Sequence, residues 1–259
     1  MQTDFTSSKL TVALPSFYQL VSHARIPSTS DEAKALAADG AAAGTLVWAR
    51  EQSKGHGRQG RAWVSPPGNL YASLILRPRV AVAVAAQLSF VAALAVGEAC
   101  ADAAPDAAIS FKWPNDVLLA DRKLAGILLE SQAKPDGRLA WLVLGIGINL
   151  VTYPVNATYP ATALSATGAD VAPDAMLALL ATHFLRRYEQ WQEGRGFAAL
   201  REAWLERAQG RGQALRVRLP QAELAGIFTG LDKDGALLLE TSTGNRRIDA
   251  GEVFPAAAF

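Results

Sequence analysis

Residues 45–77 read T-L-V-W-A-R-E-Q-S-K-G-H-G-R-Q-G-R-A-W-V-S-P-P-G-N-L-Y-A-S-L-I-L-R. An apolar run, Thr45 to Arg50, feeds a loop holding Gly55, Gly57 and Gly60 together with Arg58 and Arg61. Pro66, Pro67 and Gly68 then make a turn, and Asn69 to Arg77 form a second apolar run. Gly55 to Gly60 match G-x-G-x-x-G in form, but that fingerprint belongs to a strand–loop–helix unit. Here the loop is basic and leads into another strand. The order of a P-loop is also missing. Strands that are neighbours in the chain point to an α+β fold with a mixed, largely antiparallel sheet and helices packed against it.

The flanking elements agree. Residues 18–26 form a first strand. Thr29 and Glu32 have the spacing of a capping box, and Gly40 suits a helix stop. Residues 83–104 are Ala-rich and helical. Residues 109–131 read as two strands joined at Ala120–Arg122, with Pro114 as a break or bulge inside the first. Residues 139–150 form another strand, ending in G-I-G-I-N-L. Leu177, Leu180, Phe184, Tyr188 and Trp191 recur at helical spacing over 174–191, and a second helix ends near Gly210. After Gly212 four short strands alternate with turns, the signature of a small β-barrel. The expected division is a domain over 1–210 and a C-terminal barrel over 211–259. Residues 1–15 read as a frayed lead-in.

Composition bounds the function. The chain has 259 residues, 50% of them apolar and 19% charged, with 25 basic against 24 acidic side chains. That balance gives no support for duplex binding, so no nucleic-acid partner is expected. Residues 80–96 are short for a bilayer span and fit a buried helix, so no membrane is expected. No signal peptide is seen at the N-terminus and there is a single cysteine, Cys100, so the expected location is cytoplasmic. The three histidines lack metal-ligand spacing, and there is no nucleophile elbow.

Four segments carry chemistry. In the loop, Arg58 and Arg61 offer permanently charged forks to an anion, and Trp63 offers a flat face. Lys112 to Asp116, K-W-P-N-D, sets a cation, an amide and a carboxylate inside an apolar stretch, which is costly unless those groups are paired or used. Lys123 begins a run that turns apolar at once, so its ammonium belongs at the rim of a pocket, where it stabilises charge developing on a reacting group. Asn149 closes the glycine-bearing strand. Ser28, Thr29 and Ser30 fall at a strand-to-helix turn.

Together these segments resemble biotin–protein ligase, also called biotin–[acetyl-CoA-carboxylase] ligase. The family pattern D-S-T-N, G-R-G-R-x-G-R-x-W, K-W-P-N-D, K-L-A-G-I-L-x-E, G-x-G-I-N is met here, in order, by P-S-T-S, G-H-G-R-Q-G-R-A-W, K-W-P-N-D, K-L-A-G-I-L-L-E and G-I-G-I-N. The likeness runs from about residue 17 to residue 252. It implies a catalytic domain related to class II aminoacyl-tRNA synthetases and a C-terminal barrel of Src-homology type. It implies that biotin and ATP, with Mg2+, give biotinyl-5′-AMP, and that a lysine of a biotin carboxyl carrier domain then takes the biotinyl group. The chain has too few residues before its first strand for the helix-turn-helix of some relatives, so no repressor role is expected. A homodimer is one possible assembly.

By position, the resemblance places Ser28, Thr29, Ser30 and Gln52 at the biotin ureido ring, and His56, Gly57, Arg58 and Gly126 along the rest of the biotin site. Lys123 bridges biotin carboxylate and α-phosphate. Gly55, Arg61, Trp63, Asn115 and Asn149 fall on the nucleotide side, with Trp63 stacked on adenine. Lys112, Asn115 and Asp116 hold the pyrophosphate and magnesium region. Lys123, Arg58, Lys112 and Asp116 are the expected catalytic set, and metal ligands are not assigned. Pro27, Ser30 and His56 depart from the pattern, and Pro255 and Ala256 stand where some relatives carry a basic residue. Lipoate or octanoate attachment and a biotin sensor without chemistry remain as alternative readings.

Overall fold

The computed structural model describes residues 12–155 and 159–256. Of the lead-in expected over 1–15, residues 1–11 lie outside the described residues. The first strand, β1 (Gln19–His23), enters helix α1 (Thr29–Ala38) through a turn capped by Ser28, whose Oγ accepts from the Asp31 amide. The cap is therefore Ser28 rather than Thr29, with Asp31 in place of Glu32 as its acidic partner in the first turn. That carboxylate sits where the helix dipole favours negative charge. The chain continues through β2 (Thr45–Ala49), the glycine–arginine loop with one turn of 3-10 helix at Arg58–Gly60, and β3 (Leu70–Leu76). The expected helix over 83–104 is two pieces, α2 (Val82–Ala85) and α3 (Leu88–Ala103).

Residues 109–133 make three strands, not two: β4 (Ile109–Lys112), β5 (Asp116–Leu119) and β6 (Arg122–Ala133). K-W-P-N-D is thus a hairpin turn, with Lys112 paired opposite Asp116 and a cis Trp113–Pro114 peptide, rather than a bulge inside one strand. Proline has no N–H to give a ladder, and here it stands where the ladder reverses. The sheet is completed by β7 (Leu139–Ile148), in the order β1-β2-β3-β7-β6-β5-β4. The β1–β2 pair is parallel and the rest are antiparallel. The sheet is therefore mixed and largely antiparallel, as its sequence indicates.

Alternation along the strands decides what faces what. Leu70, Ala72, Leu74 and Leu76 on β3, with Leu142, Leu144, Ile146 and Ile148 on β7, join one hydrophobic core. On that face lie α3 and the later helices α4 (Pro173–Trp191) and α5 (Phe197–Leu205). The helical run Val82–Ala103, α2 and α3 together, is long and apolar enough to span a bilayer, but 72% of its apolar window is buried inside the protein. The opposite face packs Val47, Ile75 and Val143 against Ala33 and Ala37 of α1. Beyond α1 that face is left open, and there the cleft lies.

The C-terminal part is a second sheet: β8 (Ala214–Arg218), β9 (Glu223–Leu231), β10 (Leu237–Thr241), β11 (Gly244–Ile248) and β12 (Glu252–Pro255), in the order β11-β10-β9-β8-β12. It has five strands where four were legible, because β12 is short and ends on a proline. Leu215, Val217, Phe228 and Leu237 from it join the main core. The Trp113 indole N–H donates to the Gly235 carbonyl at 3.1 Å, tying the K-W-P-N-D turn to the second sheet.

Candidate functional site

A cleft of about 370 Å³ opens on the α1 face of the large sheet. Its floor is β6 and β7 at Gly126, Gly145 and Gly147. A Cβ on Gly145 would stand 2.8 Å from the Ser30 hydroxyl, and one on Gly147 only 2.6 Å from the Trp63 indole nitrogen. These two positions need glycine because other side chains occupy the space above them.

One end of the cleft is a chain of neutral hydrogen bonds. Ser73 Oγ lies 2.9 Å from Thr29 Oγ1 and 3.1 Å from Ser30 Oγ, all three residues being buried. The Gln52 amide oxygen accepts from the Thr29 backbone N–H at 2.8 Å and from its hydroxyl at 3.1 Å. The Gln52 amide nitrogen donates to Ser65 Oγ at 3.0 Å. Each hydroxyl both donates and accepts, so this end meets an amide-like or urea-like ligand with hydrogen bonds already aligned. Ser73 was not singled out in the sequence. A lone serine in an apolar strand carries no pattern, and its meaning appears only when α1 lands above it.

The other end is charged. Lys123 Nζ lies 2.6 Å from Asp116 Oδ1, and Lys112 Nζ lies 3.9 Å from Asp116 Oδ2. One carboxylate thus serves two ammonium groups. Lys112 is 8% exposed, with its Nζ 3.8 Å from the centre of the Tyr159 ring and 5.6 Å from that of Phe254. Burial pulls the Lys112 pKa below the ordinary lysine value, against the opposing pull of Asp116. Arg58 donates to the Asn115 side-chain oxygen at 3.1 Å, and Asn115 in turn donates to the Ile127 carbonyl at 2.6 Å. Burial also lowers the Arg58 pKa, and arginine remains charged regardless.

Thr29, Ser30, Gln52, His56, Gly57, Arg58, Arg61, Trp63, Lys112, Asn115, Asp116, Lys123, Gly126 and Asn149 all line this one cleft. Ser28 and Gly55 do not. Ser28 caps α1, and Gly55 packs its backbone beneath Ser65 and Trp63, where a Cβ would meet Ser65 Oγ at 2.5 Å. The Trp63 ring lies on the glycine floor, with Lys123 Nζ 5.5 Å from its centre. The Asn149 amide donates to the Thr162 carbonyl at 3.0 Å, so it also holds the neighbouring loop. Asn69, another residue without a sequence signal, is 1% exposed, and its side-chain oxygen accepts from the amides of Leu150, Val151 and Thr152. It fixes the chain that leaves β7 at the cleft.

The second sheet takes part. Gly251, Glu252, Val253 and Phe254 line the cleft, and Glu252 forms an ion pair with Arg61 of the glycine–arginine loop. Among the described residues no group of three or more His, Cys, Asp or Glu side chains is arranged to hold a metal ion. Cys100 is buried in the core and its thiol pKa is pushed up to about 12, so it supplies no thiolate.

Comparison with known proteins agrees with this geometry. Residues 22–149 match the biotin/lipoate A/B protein ligase family, and residues 211–254 match the biotin protein ligase C-terminal domain. A biotin–[acetyl-CoA-carboxylase] ligase of Paracoccus denitrificans is 46% identical over 89% of this chain and 98% of its own length. The bifunctional ligase/repressor BirA of Bacillus subtilis is 36% identical over 90% of this chain and 73% of its own. A solved biotin protein ligase of Aquifex aeolicus, in complex with biotin and ATP, superposes with a TM-score of 0.77 at 28% identity, covering 91% of this chain and 97% of that one. The two-part match, the shared fold and the hydroxyl-to-lysine cleft agree, and the chain belongs to the biotin protein ligases of the biotin/lipoate A/B protein ligase family.

Proposed function

We propose that this protein activates biotin with ATP as biotinyl-5′-AMP and transfers the biotinyl group to a lysine of a biotin carboxyl carrier domain. The observation that carries this reading is the placement of Lys123. Its ammonium stands at the charged end of the same cleft whose other end is the neutral hydroxyl chain, and among the described residues its ion-pair partner is Asp116. A ligand with a uncharged polar head and a distal carboxylate fits that order.

In this reading the ureido ring meets Thr29, Ser30 and Ser73, and the alkyl chain runs along the cleft toward Lys123. Lys123 leaves Asp116 for the biotin carboxylate and the α-phosphate. A carboxylate oxygen attacks the α-phosphorus, and the bond to the leaving pyrophosphate breaks. Charge shared by the attacking and leaving oxygens is met by Lys123, Arg58 and Lys112, donors already fixed in place. The carrier lysine then attacks the acyl carbon as a free amine. The C–O bond to AMP breaks, AMP leaves with the electron pair, and the amine's proton passes to solvent. No enzyme nucleophile enters either step, in keeping with the inert Cys100.

Mg2+ belongs to the same proposal as part of the nucleotide substrate. It keeps several waters and binds through one or two carboxylates together with phosphates, and Asp116 is the carboxylate at the cationic end. A cytoplasmic location, the absence of a nucleic-acid partner and the division at residue 210 are also proposals. The start of a separate sheet at Ala214 supports the division.

The test is direct. Protein mixed with biotin, labelled ATP and Mg2+ is expected to yield biotinyl-5′-AMP and pyrophosphate. Lipoate in place of biotin is expected to give none. Binding of biotin with no adenylate formed would favour a sensor instead.

A further inference from the structure

His56 sits in the loop at Ser53–Trp63, yet it faces away from the charged end of the cleft. Its Nε2 lies 3.6 Å from Glu130 Oε2 and 4.0 Å from Asp31 Oδ1, and its Nδ1 lies 3.5 Å from the Ser28 hydroxyl. Lys34 Nζ lies 2.7 Å from Glu130 Oε1 and 2.9 Å from Asp31 Oδ1. The charged groups around the imidazole are thus Asp31 and Lys34 from α1 and Glu130 from β6. Two carboxylates share one fixed cation, and a charged imidazole would complete the set. Glu130 is also divided between its oxygens. Oε1 is held by Lys34, while Oε2 is buried, has no hydrogen-bond partner and is turned toward His56. A buried carboxylate oxygen without a donor is unfavourable, and the His56 ring stands 3.6 Å away to supply one.

We propose that Glu130 is a positioning residue that pins the glycine–arginine loop over the cleft by pairing with protonated His56. The backbone of the loop transmits the contact. His56 bridges Ala62, Gly57 donates to the Arg61 carbonyl at 2.8 Å, and Trp63 donates to the Gly55 carbonyl at 2.9 Å. Holding His56 therefore holds Arg58, Arg61 and Trp63 as one unit. A charged imidazole pairs with Glu130 and a neutral one does not, so the pin is expected to hold at lower pH and to weaken as pH rises. The consequence for retention of an acyl-adenylate rests on the function proposed above.

Amide hydrogen exchange across residues 53–63 of the ligand-free protein tests the pin without any activity. At about pH 6, Glu130→Gln is expected to exchange about fivefold faster in this loop than the parent, the size of one partly exposed ion pair, and the two are expected to converge at about pH 8. Equal rates at the lower pH would overturn the proposal. Lys34→Met removes the neighbouring cation but leaves Glu130 Oε2 free to meet His56, so the pH difference is expected to persist. Its loss in that variant would also overturn the proposal. His56→Arg, with a permanent charge, is expected to exchange slowly at both pH values. In a second arm, release of biotinyl-5′-AMP from the parent is expected to be several-fold faster at the higher pH, and pH-independent in Glu130→Gln. If no adenylate forms in any variant, the proposed function fails while the exchange result still decides the pin.

Discussion

The two ends of the cleft solve opposite problems. At the hydroxyl end, Thr29, Ser30, Ser73 and Gln52 satisfy one another in a closed chain of neutral hydrogen bonds. At the cationic end, Lys112, Lys123 and Asp116 are partly buried, and the charge does not balance. The first arrangement recognises a ligand with little rearrangement. The second holds unsatisfied positive charge in a place of reduced solvation, which is unfavourable until anionic oxygens arrive. In the proposed reaction, recognition and chemistry are thus separated along one sheet face.

Lys123→Ala should separate the ends most sharply. Adenylation is expected to fall on the order of 10²–10³-fold, as for loss of one preorganised charge-stabilising donor, with biotin affinity at the hydroxyl end changed far less. Rapid-quench measurement of pyrophosphate release alongside calorimetric biotin binding checks both halves. A variant that binds biotin poorly yet reacts normally would merge the two ends and break the comparison.

The converse change is Thr29→Val, which removes a donor and leaves Gln52 and Ser73 short of a partner. The biotin KM is expected to rise about tenfold with kcat nearly unchanged, the worth of one buried hydrogen bond. Steady-state kinetics with biotin as the varied substrate gives the split directly, and a fall in kcat alone would contradict it.

Lys112→Met probes the cost of the charged end. Burial lowers the Lys112 pKa, so the folded state disfavours its charged form, and that penalty is present at neutral pH. Methionine removes it, and Tm is expected to rise by about 2–4 °C while adenylation falls. The advantage of the variant should shrink as pH climbs through the lowered pKa toward the ordinary lysine value, because the parent's own ammonium then loses its charge. A thermal-melt series against pH reads this, and an advantage that grows with pH would have the wrong sign.

The charged end was legible in the sequence and the neutral end only in part, for a physical reason. A lysine or aspartate inside an apolar run stands out, because burying it needs an explanation, and K-W-P-N-D and Lys123 were found that way. Ser73 and Asn69 are small or neutral and sit in an ordinary strand and turn, so nothing local marks them. At Pro114 the sequence reads as a break or bulge and not as a hairpin, because the four-residue strands on either side are too short to show alternation. Val253 and Phe254 escaped because their contact with the cleft depends on how the second sheet packs, which no local pattern encodes. The Trp63 ring covers Gly126 and Gly147, and its stacking on a base remains part of the proposal.

The central claim is that one cleft joins biotin to the α-phosphate of ATP without an enzyme nucleophile. A single-turnover reaction of stoichiometric protein with biotin and α-labelled ATP, quenched and resolved by chromatography, tests it most directly. One labelled biotinyl-5′-AMP per protein is expected, discharged on adding a biotin carboxyl carrier domain, with no label on the polypeptide. Label covalently attached to the protein, or biotin bound with no adenylate formed, would contradict it.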